Sequence, residues 1–272
     1  MDKLLVSIIT PVLNGIKYLE PCIQSVLSQS YPYIEHVFID GGSTDGTLDM
    51  LISYRAKYPD RIRFISEPDK GPCDAWNKGL GMAKGEILGW LGSDDMSEPD
   101  AIMTVVEFFR TNPDAYFVFG DCNYINENGK IIGKYRTKDF NLKEMINDLN
   151  PIPCSSAFYK REVIEKVGFT DTSLYAWDLD YWIRVGKVFQ IHRIEKVLSN
   201  FRIHKESQRG SKEAGKIYAI DGFIVSRRHG GSIFSPRGRR YIMFVIIRPL
   251  LIRPLLPILI RIYYFIKYKT KI

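Results

Sequence analysis

The first 120 residues alternate two periods, and that alternation most restricts the folds open to the chain. Short apolar, β-branched runs occur at LLVSIIT (4–10), EHVFID (35–40), IRFIS (62–66), EILGWLG (86–92) and AYFVFG (115–120). They read as fully buried strands. Between them, stretches such as Tyr18–Leu27 and Ala101–Phe109 place apolar residues three or four apart, the spacing of helices with one buried face. Strand and helix in turn predict βαβ units, a mostly parallel central sheet and helices on both of its faces. Ligands of such sheets bind beyond the carboxyl ends of the strands. Acids stand at those ends: Asp40 closes HVFID, and Asp94 and Asp95 follow GWLGS. A lone aspartate there serves as a turn former or helix cap, but three on one rim repel one another and call for a cation or hydrogen-bond donors.

Beyond residue 120 the pattern changes. CNYINENGKIIGKY reads as a hairpin turning at Asn-Glu-Asn-Gly, Leu142–Asp148 as a helix and SSAFYK as a strand. A further helix begins near Asp178, and VFQIHRIEKVLSNFRIH reads as strand, turn, strand. No repeat or low-complexity linker interrupts this stretch, so 1–225 is expected to form one domain and 226–272 an appended tail.

Charge separates the same two parts. The chain has 38 Lys and Arg against 31 Asp and Glu, a net of +7, yet eleven of the bases and none of the acids fall in 222–272. The first 221 residues therefore carry a net of −4. The four cysteines lack metal-clip or disulfide-scaffold spacing and read as buried thiols. MDKLLVSIITPV has none of the parts of a signal peptide, so the body is expected to be cytosolic.

Nucleotide folds with a Gly-rich phosphate loop are excluded at the first strand. SIITPVLNG lacks G-x-G-x-x-G, and no Walker sequence occurs. GGSTDGT after Asp40 is a turn whose Ser, Thr and Asp are available to cap the next helix. DKGPCDAWNKG (69–79) brings further polar groups toward the same rim.

With these pieces in order, the chain resembles the family 2 glycosyltransferases of GT-A fold. The resemblance rests on SIITPVLN (7–14), VFIDGGSTDGT (37–47), SEPDKGPCDAWNKGL (66–80), GEILGWLGSDD (85–95), AWDLDYWIR (176–184) and FRIH (201–204), and covers roughly residues 4–210. It implies an inverting glycosyltransferase that draws on a nucleotide-sugar donor, a UDP-sugar foremost. In that likeness Pro11, Asp40, Asp69 and Asp94 belong to the nucleotide pocket, with Asp40 on the base and Asp94 nearer the ribose. Asp95 ligates Mg²⁺ or Mn²⁺, with His204 a further candidate near the metal or diphosphate. Asp178 is the catalytic base, with Asp180 its rival, and Arg202 is a candidate partner for phosphate.

The chain also departs from the family pattern. Gly41 stands where a second Asp is common and Ser93 at the first position of the acidic motif. Leu13 replaces an aromatic near the base, Trp177 a frequent Glu, and CSSAFYK lacks a His often found before it. A catalytically silent nucleotide-binding scaffold is the alternative, but it needs neither Asp95 nor Asp178. A nucleotidyltransferase would need a Gly-rich basic loop where TPVLNG stands.

The tail, RRYIMFVIIRPLLIRPLLPILIRIYYFIKYKTKI (239–272), mixes apolar, aromatic and basic residues. Its sixteen Leu, Ile, Val and Phe between 241 and 266 favour membrane insertion by about 8 kcal/mol, while three central Arg oppose it by about 9. Pro249, Pro254 and Pro257 break a single span. The expectation is a peripheral membrane segment with cations on anionic head groups, at the cytoplasmic face. The acceptor expected with it is a saccharide or lipid-linked saccharide. The many large aliphatics argue against a nucleic-acid arm.

Overall fold

The structure, a computed structural model, describes residues 3–205 and 212–247. The expected βαβ alternation is present: β1 (Val6–Val12), α1 (Ile16–Leu27), β2 (Ile34–Asp40), α2 (Thr47–Lys57), β3 (Ile62–Ser66), α3 (Pro72–Met82) and β4 (Ile87–Trp90). The short β5 (Met96–Ser97), α4 (Ala101–Thr111) and the hairpin β6 (Phe117–Ile125) with β7 (Ile131–Tyr135) follow. Next come α5 (Leu142–Asn147), β8 (Ala157–Lys160), α6 (Glu162–Val167), α7 (Trp177–Val188) and β9 (Ile191–Arg202). Past residues 206–211, α8 (Lys212–Arg228) and α9 (Pro236–Tyr241) close the described chain, α9 running on as a π-helical turn, Ile242–Ile247.

The strands form one sheet in the order β3-β2-β1-β4-β8-β6-β9-β5, with β7 added on β6. The β3-β2-β1-β4 block is parallel. Beyond it β8 runs antiparallel to both β4 and β6, so the whole sheet is mixed. Alternation along β1 divides the core. Ile9 packs with Trp76 and Leu80 of α3 and Leu179 and Trp182 of α7. Its neighbour Ile8 packs on the other face with Cys22 and Val26 of α1 and Val105 of α4. Each such large side chain withdrawn from water stabilises the fold by about 1.5–3 kcal/mol.

Three expectations change. The run 62–66 is only partly buried, because β3 is the edge of the parallel block and its outer side has no neighbour. The segment 188–204 holds one strand, β9, not two. Its pairing with β6 jumps from Gly120↔Ile194 to Asp121↔Val197, so Glu195 and Lys196 form a bulge where a turn was expected.

The boundary expected at 225/226 falls inside α8, which is docked on the body. Asp221 accepts a hydrogen bond from the Ala176 amide at 2.6 Å, Arg228 pairs with Asp171 at 2.8 Å, and Arg237 donates to the Met145 carbonyl at 3.0 Å. Residues 248–272 of the expected tail lie outside the described residues. Among the described residues, no helix is long and apolar enough to cross a membrane.

Candidate active site

The carboxyl ends of β1, β2 and β4 share one rim because the three strands are parallel. A cleft of about 630 Å³ opens there, lined on one side by Pro11–Gly15, Asp69, Gly71 and Trp90, in the middle by Gly92–Asp95 and His204, and on the other by Asn150, Cys154, Trp177 and Asp178.

The first wall is built by two loops clasping each other. Asn14, in the left-handed region at φ 50°, donates its backbone amide to the Ser43 hydroxyl at 2.8 Å and accepts from the Thr44 amide on its side-chain oxygen at 2.9 Å. Asp45 accepts the Ile16 amide at 3.0 Å and the Thr47 hydroxyl at 2.6 Å, so it caps α1 as well as steadying the start of α2. Burial works against the Asp45 carboxylate, yet the hydrogen bonds from Thr47 and Ile16 outweigh it and hold the carboxyl below its usual range.

Asp40 is fully buried and does not line the cleft. Its carboxylate accepts from the Ser43 amide and hydroxyl and from the Ser66 hydroxyl. Asp40 therefore organises the loops, which corrects the expectation that it meets the base directly. The carboxylate that reaches this wall is that of Asp69. A Cβ on Gly41 would lie 2.8 Å from Asp69 Oδ2, so the glycine at the usual second Asp leaves room for it. The Gly71 amide donates to Asp69 Oδ1 at 2.8 Å and fixes its direction.

The acidic pair is held from β9. Asp95, buried at 3% exposure, accepts the Arg202 amide on Oδ1 at 2.9 Å. Asp94 Oδ2 lies 2.9 Å from His204 Nε2, whose ring stands 4.9 Å from that of Tyr18. Between the two carboxylates lies a space that a side chain on Gly92 would fill. A Cβ there would be 2.9 Å from Asp94 Oδ1 and 3.0 Å from Asp95 Oδ2. Two convergent carboxylate oxygens beside an open cleft suit a hard divalent cation that completes its shell with phosphate and water. Among the described residues no group of three His, Cys, Asp or Glu is placed to hold a metal ion.

Arg202 is spent on the chain's own backbone. Its guanidinium donates to the carbonyls of Asp94, Asn126 and Glu127 and lies 4.7 Å over the Tyr18 ring. It is a strut beneath the acidic pair. Cys22 lies under the same turn, donating to the Gly92 carbonyl at 3.4 Å. Burial and the two aspartates push its thiol well above the usual range, so it stays protonated.

The two candidate bases part company on α7. Asp178 lines the cleft, with its carboxylate held by the Asn150 side-chain amide at 3.1 Å and the Leu179 amide at 2.8 Å. Asp180 does not line it. It is 1% exposed, pairing with Arg184 and His229 at 2.8 and 2.9 Å and with Arg228 at 3.6 Å. Asp180 is thus the anchor by which α8 grips the helix that carries Asp178. Asp221, on the amide of Ala176, is the other grip.

Asp221, His229, Gly92 and Asn150 were not singled out in the sequence. The only trace of the first two is their spacing of eight residues, with Asp221 on α8 and His229 directly after its last residue.

The profile of glycosyl transferase family 2 matches residues 7–168. The chain belongs to that family. An uncharacterized glycosyltransferase of Nostoc is 32% identical over 263 residues, covering 87% of this chain and 80% of the relative. A Bacillus subtilis protein assigned to teichuronic acid biosynthesis, TuaG, is 31% identical, covering 77% and 83%. Chondroitin synthase of Escherichia coli is 30% identical over 75% of this chain, which spans only 29% of that longer protein. Among solved structures, the mannosyltransferase PcManGT of Pyrobaculum calidifontis, in complex with GDP-Man and Mn²⁺, superposes with a TM-score of 0.68. Its identity is 18%, over 90% of this chain and 71% of its own. Residues 1–349 of Staphylococcus aureus TarS with UDP-GlcNAc give 0.62 at 19% identity, over 80% and 66%. The architecture is therefore the GT-A fold, and this family 2 glycosyltransferase carries its cleft at the carboxyl rim expected from the strand pattern.

Proposed function

We propose that this glycosyltransferase moves a sugar, with inversion, from a nucleotide-diphosphate donor to a hydroxyl of a saccharide or lipid-linked saccharide. The setting is surface polysaccharide assembly at the cytoplasmic face of a membrane. The observation that carries the reading is the presence of Asp178 on the same cleft as Asp69, Asp94 and Asp95, with its rival Asp180 outside that cleft, held by Arg184 and His229. The UDP-GlcNAc complex of TarS supports a UDP-sugar as donor. TuaG and chondroitin synthase support a polysaccharide product.

Asp178 accepts the proton of the attacking hydroxyl. The acceptor oxygen bonds to the anomeric carbon as the bond from that carbon to the diphosphate breaks, so one base suffices for a single displacement. Asn150 and the Leu179 amide aim the carboxylate. Asp69 and the Asn14 loop hold the nucleoside side, with Asp94 toward the ribose, and Asp95 would hold Mg²⁺ or Mn²⁺. The cation, when bound, supplies positive charge to the departing diphosphate.

The test is nucleotide-diphosphate release from a panel of nucleotide sugars by the full chain, with and without Mn²⁺, beside Asp95→Ala and Asp178→Ala. Metal-dependent release that Asp95→Ala abolishes supports the reading. Nucleotide binding without release from any donor, with or without added oligosaccharide, favours the scaffold alternative. No nucleotide binding at all refutes the proposal.

A further inference from the structure

The turn between α8 and α9 exposes apolar side chains that the fold could have covered. Phe234 is 81% exposed and Ile233 43%. Its backbone is nonetheless pinned. The Ser232 amide donates to Asn147 Oδ1 at 2.9 Å, the Phe234 amide to the Ser232 hydroxyl at 3.1 Å, and the Ser235 amide to the Ser232 carbonyl at 3.1 Å. Ser235 then caps α9 by accepting the Gly238 amide at 3.1 Å. Phe234 precedes that cap, where an apolar residue ordinarily folds back onto the fifth residue of the cap segment. Here that residue is Arg239, so the ring has no apolar partner in its own helix. The side chain is held outward by its neighbours.

The surroundings of this turn specify what covers it. Arg239 is exposed on α9, and Met243, 52% exposed, follows one turn later. From Gly222 to the C-terminus the sequence has eleven Lys and Arg and not one acid. An acid-free, basic segment that presents aromatic and aliphatic side chains is complementary to an anionic lipid surface, where the ring enters the acyl boundary and the cations meet head groups.

We propose that Ile233 and Phe234 form a membrane wedge, inserted into anionic phospholipid with Arg239 at the head-group level. The proposal rests on the membrane setting put forward above and adds a defined contact, outside 248–272, to it. Because α8 is tied to the Asp178 helix through Asp221 and His229, a surface gripped by the wedge also fixes the orientation of the cleft.

The experiment is sedimentation of the full chain with vesicles of phosphatidylcholine containing phosphatidylglycerol, and with pure phosphatidylcholine. The variants are Phe234→Ser, the double variant Ile233→Ser/Phe234→Ser, and Arg239→Glu. Loss of one buried aromatic ring is expected to weaken binding about tenfold or more, and the double variant further. Arg239→Glu is expected to weaken binding to the anionic vesicles alone, by about fivefold or more. Thermal midpoint and nucleotide affinity are expected to stay at the wild-type values, since all three side chains are on the surface. Wild-type chain that binds anionic vesicles while the double variant binds equally well overturns the wedge and leaves the membrane setting intact. A wild-type chain that binds neither vesicle overturns both, and self-association lost in Phe234→Ser would then identify a second copy as the occupant.

Discussion

Replacing Asp180 by alanine separates a structural aspartate from a catalytic one two residues away. Asp180 is 1% exposed and faces Arg184, His229 and Arg228 at 2.8, 2.9 and 3.6 Å. Removing one member of a buried ion pair leaves the others uncompensated, which costs about 3–5 kcal/mol. Arg228 is 44% exposed and Arg184 25%, so water recovers part of that loss and the lower figure applies, about 3 kcal/mol. In a chain of this size each kcal/mol moves the thermal midpoint by about 2–4 °C. Asp180→Ala is therefore expected to melt about 6–12 °C lower by circular dichroism, while binding nucleotide normally well below its midpoint. Asp178→Asn keeps the shape of a cleft-lining side chain and one of its two acceptor oxygens, toward either Asn150 or the Leu179 amide. It is expected to melt within about 1 kcal/mol of wild type and to lose glycosyl transfer by about 10²–10⁴-fold, the range of a lost general base. A midpoint unchanged in Asp180→Ala together with lost transfer would refute this division of labour and make Asp180 the base.

The space beside Gly92 gives a sharper test of the metal. Gly92→Ala puts a methyl within 3.0 Å of both carboxylates and is expected to weaken Mn²⁺-dependent nucleotide binding about tenfold or more with little change in midpoint, read by titration calorimetry with and without Mn²⁺. Gly41→Ala would displace Asp69, 2.8 Å from the new Cβ, and is expected to weaken nucleotide binding equally with and without metal. His36, fully buried beside Thr10 at 2.8 Å, is held down to about 3 by burial and by Arg61. It is therefore neutral when folded and takes a proton only on unfolding below its usual 6.5. Its contribution is complete above pH 6.5 and is lost as pH falls toward 3, at about 1.4 kcal/mol per pH unit. Urea unfolding across that window is expected to show a shallower pH slope in His36→Leu than in wild type, and an unchanged slope would place the titration elsewhere.

Much of the site is already written in local chemistry. Apolar runs that end in aspartate specify strands whose last residue meets water at the rim, so Asp94 and Asp95 could be placed at the cleft before any contact was known. The helix beginning near Asp178 was equally legible, because a carboxylate in a first turn suits the positive end of the helix. Which carboxylate of AWDLDYW faces the cleft was not. Residues two apart on a helix point to nearly opposite sides, and only the docking of α8, through Asp221, His229 and Arg228, decides that Asp180 turns inward and Asp178 outward. The same holds at the nucleotide wall. HVFID announces a rim aspartate, but Ser43 in the following loop and Ser66, brought alongside by the pairing of β2 with β3, consume Asp40 and leave Asp69 to face the cleft. Sequence by itself determined which segments could reach the carboxyl edge and that the edge would be acidic, because periodicity and strand-end chemistry are local. Tertiary structure alone decided which oxygens remain turned to a ligand, because a carboxylate's role depends on partners as far as 110 residues away.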